Sequence, residues 1–461
     1  MTFPPEIGFV LEQFLLILWA AFKSFWWVYP PFFLFNKIQK YYFYWINWDF
    51  WFARMKWIVV EIIPPRDLTK TFKSMEDVVG GLWGPMYYPA NWRELWLEGQ
   101  PQFYGGPLWM TFEIAATGGK IHFYARMPKG LRNNFEATLY AQYPDVEIFE
   151  VEDYTQKIPQ EIPDKDWDVK GEDYMLLRED AYPLKTYQQF FEPQLGMITE
   201  ERLIDPIHSL MEGLNKGKPG DNVWFQIGLI PITSKSVVDV GKVPAYRGKD
   251  WDGCVSVLTN KLAKRKAPPG PISAACEWKK LTDATFIEKG INQLVGSNPP
   301  SYAAPKAEVT SADTNLTPGE REALTAVENK ASKRLFTIWL RSVYVCNKNL
   351  PHDTGSWGAP RNYVHHLAGY NGLRFCPRTR TKINYFLRDR RLYLRKRQFI
   401  RRYATATPPG ATFDYWFKGG MLMVMNIEEI ATLFHFPAQF NPVGTPRVEF
   451  KKSEPPTNLP V

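Results

Sequence analysis

The hydropathy pattern opens with an apolar, aromatic-rich run from Ile7 to Phe35, IGFVLEQFLLILWAAFKSFWWVYPPFFLF, broken only by Glu12 and Lys23. A bilayer core of roughly 30 Å is crossed by about 20 such residues in a helix. The pattern therefore predicts a transmembrane helix from about Glu6 to Val28, ended by Pro30 and Pro31, which lack a backbone donor. The absence of any Lys or Arg before Lys23 argues against a cleaved signal peptide. In the next stretch, FFLFNKIQKYYFYWINWDFWFARMKW, the aromatics Trp45, Trp48 and Trp51 alternate with Lys37, Lys40, Arg54 and Lys56. Amphipathic rings beside cations belong at the headgroup level, which predicts an interfacial helix and leaves a second span open. With the basic residues on the C-terminal side, the expected location is the inner membrane with the main body cytoplasmic.

From residue 56 onward the rhythm shortens. WIVVEII (57–63) reads as a buried strand, and SMEDVVGGLWG (74–84) as a helix with acids in its first turn. LWMTFEIAAT (108–117) and IHFYARMP (121–128) alternate around Gly118-Gly119, the signature of a hairpin. LRNNFEATLYAQY (131–143) carries a helical stripe, and VEIFEVEDY (146–154) alternates again. The order β-α-β-β-α-β is the ferredoxin-like, split βαβ plan. A looser second copy follows: a strand in DYMLLRED (173–180), a helix over 206–215, a strand over 222–232, a strand over 334–345, a helix near 362–370 and a strand over 381–387. Its middle is interrupted by Pro-, Ala-, Lys- and Ser-rich sequence, inside which Thr317-Pro318-x-Glu320 starts a helix.

The fold expected is α+β: an N-terminal transmembrane helix plus tandem ferredoxin-like domains, the second with long insertions. The boundaries read as 1–55 for the transmembrane and interfacial helices and 56–160 for the first domain. The second domain is discontinuous, 161–260 with 334–425, around an insertion at 261–333 that contains a helix. A C-terminal helix and Pro-rich tail fill 426–461.

Composition adds two constraints. A formal charge of +8 and a pI near 9.0 call for anionic neighbours, phospholipid or nucleic acid. The cysteines Cys254, Cys276, Cys346 and Cys376 are scattered without a C-x-x-C pair, and read as reduced thiols.

Candidate chemistry is sparse. A phosphate loop needs Gly-Lys followed by Ser or Thr, yet Gly119-Lys120, Gly217-Lys218, Gly241-Lys242 and Gly248-Lys249 are followed by Ile, Pro, Val and Asp. His365 and His366 are adjacent, so on a helix they point about 100° apart and do not share one ion easily. His122 and His435 read as packing residues. No catalytic residue, metal site or cofactor is expected. The tract from Arg378 to Arg402 carries eleven Lys or Arg against Asp389, interleaved with Tyr385, Tyr393, Phe399 and Tyr403. Arg388, Arg390, Arg391, Arg395, Lys396, Arg397, Arg401 and Arg402 are its candidate contacts. Three readings stay open: single-stranded nucleic acid, with phosphates on the cations and bases on the rings; an amphipathic element on anionic lipid; or a solvated face that pairs with another subunit.

Several segments carry a resemblance. MKWIVVEIIPPRDLTKTFKSMEDVVGGLWG (55–84), WRELWLEGQ (92–100), IHFYARMPKGLRNNFEATLYAQYPDVEIFEVEDY (121–154), NIEEIATLFHFP (426–437) and SEPPTNLP (453–460) are similar to a known pattern. It is that of the membrane-anchored, non-ATPase part of HerA-type conjugation ATPases of type IV secretion systems in candidate-phyla bacteria. In such relatives a motor with a phosphate loop follows the last of these segments, so no motor residue carries over. The resemblance implies a non-enzymatic, membrane-anchored scaffold of a type IV secretion-like DNA-transfer apparatus. Its implied partners are a separately encoded ATPase, DNA, membrane lipids and further copies of the chain. The alternative is a membrane-associated structural protein with no nucleic-acid role.

Overall fold

The computed structural model describes residues 45–65, 72–88, 93–100, 108–159, 161–193, 201–203, 205–233, 251–263, 316–377, 379–383, 387–408 and 422–437, with isolated positions between 13 and 42 and at Asn91. The strands are β1 (Trp57–Ile63), β2 (Met110–Thr117), β3 (Lys120–Pro128), β4 (Glu147–Val151), β5 (Trp167–Leu176), β6 (Phe191–Pro193), β7 (Glu201–Leu203), β8 (Asp221–Ile232), β9 (Leu335–Asn347), β10 (Leu373–Phe375) and β11 (Met423–Asn426). The helices are α1 (Phe72–Met86), α2 (Arg132–Gln142), α3 (Ile207–Asn215), α4 (Trp251–Leu262), α5 (Pro318–Ser332), α6 (Gly358–His366), α7 (Arg388–Ala404) and α8 (Ile427–Leu433).

Among the described residues, nine strands form one antiparallel sheet in the order β10-β5-β9-β8-β2-β3-β1-β4, with β11 added against the start of β9. β6 and β7 pair separately. The expectation of a transmembrane helix followed by two tandem ferredoxin-like domains is therefore corrected. Each half of the sheet repeats one strand permutation, yet β2 and β8 pair from Met110↔Leu229 to Thr117↔Asn222 and fuse the halves. The physical reason lies in those two strands. β8 is buried along its whole length and β2 along all but Thr117, so neither tolerates being a solvent-facing edge. The hairpin β2–β3 turns at Gly118 and Gly119, both at positive φ, which only glycine adopts cheaply. In the second half, the opening strand is Trp167–Leu176 rather than 173–180. The closing strand is Leu373–Phe375, and the expected strand over 381–387 is absent from its described residues, 381–383 and 387.

One face of the sheet carries α1, α2, α3, α6 and α8. Met110, Phe112, Ile114, Phe225, Ile227, Phe336 and Leu340 meet Met75, Val79, Phe135, Leu210 and Tyr363 there. The opposite face meets α7 through Val169, Trp224, Val343, Phe399, Ile400 and Tyr403. α4 and α5, from the insertion between β8 and β9, close the end of the sheet around Trp251, Val327 and Trp339. α5 starts with the capping box read from the sequence: Thr317 and Glu320 each accept from the other's backbone N–H.

The membrane expectation is corrected as well. Among the described residues no helix is long and apolar enough to cross a membrane. Most of the stretch from Glu6 to Val28 lies outside the described residues, as do Lys37, Lys40 and the side chain of Trp48. The inner-membrane location rested on that span and, among the described residues, has no helix to support it. The aromatics that are described near residue 50 pack against the fold. Ile46 and Phe52 are buried, Phe52 lies 4.8 Å from Trp109 between ring centroids, and Trp57 lies 5.2 Å from Trp109. Tyr42 donates a 2.5 Å hydrogen bond to the Trp96 carbonyl. Of the residues expected at the headgroups, Trp51 is half-buried beside Phe52, while Trp45, Arg54 and Lys56 are exposed. Rings that suit a headgroup layer equally suit the end of a large sheet, and composition does not separate the two.

Candidate functional site

The basic tract becomes α7, and the packing of this helix divides its cations. The buried stripe runs through Arg395, Phe399, Ile400 and Tyr403. Phe399 sits over Gly171 of β5, so closely that a Cβ at Gly171 would collide with the ring. Arg395 donates to the Arg380 carbonyl at 2.8 Å, Lys396 is ion-paired to Asp168, and Arg397 reaches Glu161 at 2.8 Å. Arg380 itself lies 3.4 Å from buried Glu172. These cations fasten the helix to the body.

The C-terminal end of α7 is held by a polar row across the sheet. Asp173, Arg341, Gln226 and Glu113 are register partners on β5, β9, β8 and β2. All four are buried. Arg341 Nε donates to Asp173 at 2.9 Å, its Nη1 to the Arg402 carbonyl at 2.9 Å and its Nη2 to the Thr407 carbonyl at 3.2 Å. Gln226 donates to the Tyr403 carbonyl at 3.1 Å and to Glu113 at 2.8 Å. Last-turn carbonyls carry the negative end of the helix dipole, so a buried guanidinium there is well placed. Tyr154 donates to Glu113 at 2.6 Å and meets the Tyr403 hydroxyl at 2.8 Å. Burial first, and then the Glu113 carboxylate, pushes both phenols far above their ordinary range, so they stay protonated. Arg126 completes the cluster: it reaches Glu113 at 3.2 Å and holds Asp153 through both carboxylate oxygens at 2.5 and 2.9 Å.

What remains on the outside is Arg388, Arg390, Arg391 and Arg401, all exposed, with Leu394 and Tyr393 between them. Arg390, Leu394 and Arg401 stand at i, i+4 and i+11, one stripe of a helix, about 16 Å from end to end at 1.5 Å per residue. Arg402 is half-buried at the margin. Of the rings expected as stacking platforms, Tyr393 is exposed, whereas Phe399 and Tyr403 face the sheet. Tyr385 and Arg378 lie outside the described residues. Exposed guanidiniums of this kind are chemically suited to anionic oxygens.

The histidines are held elsewhere. His122 Nδ1 lies 2.6 Å from Glu61, and His435 Nε2 lies 2.8 Å from Asp205. Among the described residues no group of three His, Cys, Asp or Glu is placed to hold a metal ion. The polar row was missed in the sequence because its members lie on four distant strands. Its signal was present as one charged or amide residue inside each strongly apolar run: Glu113 in MTFEIAAT, Gln226 in VWFQIGL and Arg341 in TIWLRSV.

Residues 108–350, more than half of the chain, match a family described as Domain of unknown function (DUF8128). No curated protein and no solved structure matches the chain.

Proposed function

The chain belongs to the DUF8128 family, and since that description assigns no activity, we propose from the site itself that it is a non-enzymatic scaffold whose α7 face binds nucleic acid. The observation that carries this reading is the division of cations on one helix. Arg395, Lys396 and Arg397 are committed to partners within the protein, while Arg388, Arg390 and Arg401 are exposed. A stripe of exposed arginines beside an exposed Tyr393 suits a phosphate chain, with the guanidinium forks taking two oxygens at a time. The sequence resemblance supplies the setting: a type IV secretion-like DNA-transfer apparatus, with a separately encoded ATPase as neighbour.

Titration of single-stranded DNA at several salt concentrations tests the reading. Three phosphate contacts on a single strand give a log–log salt slope of about −2.1, which amounts to about a 20-fold loss of affinity on a fourfold rise in salt. The triple variant Arg388→Gln, Arg390→Gln, Arg401→Gln is expected to flatten the slope by about 2. No binding at low salt, or an unchanged slope in the triple variant, overturns the proposal.

A further inference from the structure

At the end of α7 lies a cleft of about 670 Å³ that the arginine stripe leads into. One wall is aromatic: Phe52, Trp57 and Trp109, with Trp57 half-buried and the other two buried. The helix end also lines it, through Ala404, Thr405 and Thr407. Arg126 and Asp153 line it too, and Gln156 is its exposed member. Thr405 is one turn beyond Arg401 and donates to its carbonyl at 3.0 Å, so a strand that follows the arginines arrives at this opening.

The charges in the cleft decide what enters. Asp153 is paired with Arg126, and Glu150 is paired with Arg132 on α2, so each carboxylate already holds its guanidinium. A phosphate would find no uncommitted cation among these groups. A flat, uncharged ring would find half-buried Trp57, with the exposed Gln156 amide for its polar edge; the Thr405 hydroxyl is already held by the Arg401 carbonyl and Thr407. The volume lies within the range of about 300 to 1,000 Å³ usual for small-ligand clefts. Resting on the reading of α7 as the backbone-binding face, we propose that this cleft takes a nucleobase of the bound single strand, stacked on Trp57.

The test compares an oligothymidylate with an abasic strand of the same length and charge, each titrated against the full chain. The wild type is expected to favour the base-bearing strand by about tenfold, the low end of what stacking of one base contributes. Trp57→Leu is expected to abolish that preference while the salt slope stays unchanged. Because Trp57 also touches the body, exposed Gln156→Trp provides a second variant, which blocks the opening without disturbing a buried contact. It is expected to abolish the preference too. Equal binding of both strands by the wild type, or a preference that survives both variants, overturns the nucleobase site alone. Failure of either strand to bind at low salt overturns the α7 reading and the cleft with it.

Discussion

At the scale of single residues, the firmest commitments are buried ion pairs between segments far apart in sequence. Lys330 on α5 and Glu429 on α8 are both fully buried and 3.0 Å apart. Glu429 also accepts from the backbone N–H groups of Leu184 and Asn426, at 2.8 and 2.9 Å. Removing one partner leaves the other charge stranded in a low-dielectric site, which costs about 3–5 kcal/mol, whereas replacing both with neutral groups of similar shape costs far less. Lys330→Ala is thus expected to lower the urea midpoint strongly. Lys330→Met combined with Glu429→Gln should return much of the loss; equal loss in both would refute this account. None of it was readable from sequence. Lys330 sits in EALTAVENKASK and Glu429 in NIEEIATLF, where each looks like an ordinary solvated helix charge, and only the tertiary fold brings the two together in the interior.

At the scale of elements, local patterns were legible where one face alternates or a turn has its own chemistry. The strand 57–63, the Gly118-Gly119 hairpin and the Thr317 cap were readable because their signals are contained within a few residues. Assigning the closing strand to 381–387 failed because the apolar run TKINYFL competes with the short LRF segment, and the choice depends on which one reaches β5. The basic tract was visible as charge, but which cations point outward depends on the helix register set by Phe399 and Tyr403. Gly171 is what lets α7 sit so close to β5. Gly171→Ala is expected to push Phe399 off the sheet, at a cost of about 1–3 kcal/mol, a typical penalty for overpacking. Amide hydrogen exchange should then quicken across 388–404 and not in α1 or α2. Uniform exchange changes throughout the protein would contradict that localisation.

At the scale of the whole molecule, carboxylates tie distant elements together and set the acid limit of the fold. Burial alone would raise Glu76 on α1, but hydrogen bonds from Lys333 and Tyr187 outweigh it and hold the carboxyl below its ordinary range. Lys333 also bridges to Glu428 on α8 at 2.5 Å. Half-buried Asp153 and buried Asp205 are likewise lowered against the effect of burial, by Arg126 and by His435. With folded pKa values below the unfolded ones, these groups contribute stability that is full above the ordinary carboxylate range. It drains as pH falls through the folded values. The denaturant midpoint should therefore be flat from neutral pH to about 5 and fall progressively below about 4. A midpoint that rises on acidification would show that burial, not pairing, governs these groups. The separate two-domain arrangement read from the sequence failed at this scale for a related reason. Strand order within each half is a local matter, whereas the pairing of β2 with β8 depends on two edges being too apolar to stay open.

That fused pairing has a mechanical consequence. A backbone ladder from Met110↔Leu229 to Thr117↔Asn222 leaves no hinge between the half that carries α7 and the half that carries α1 and α2. A force applied at α7 would therefore be passed across the sheet as torque on a stiff plate. The far edge at β4 would move with the near one, as one lever arm and not as a pair of beads on a string.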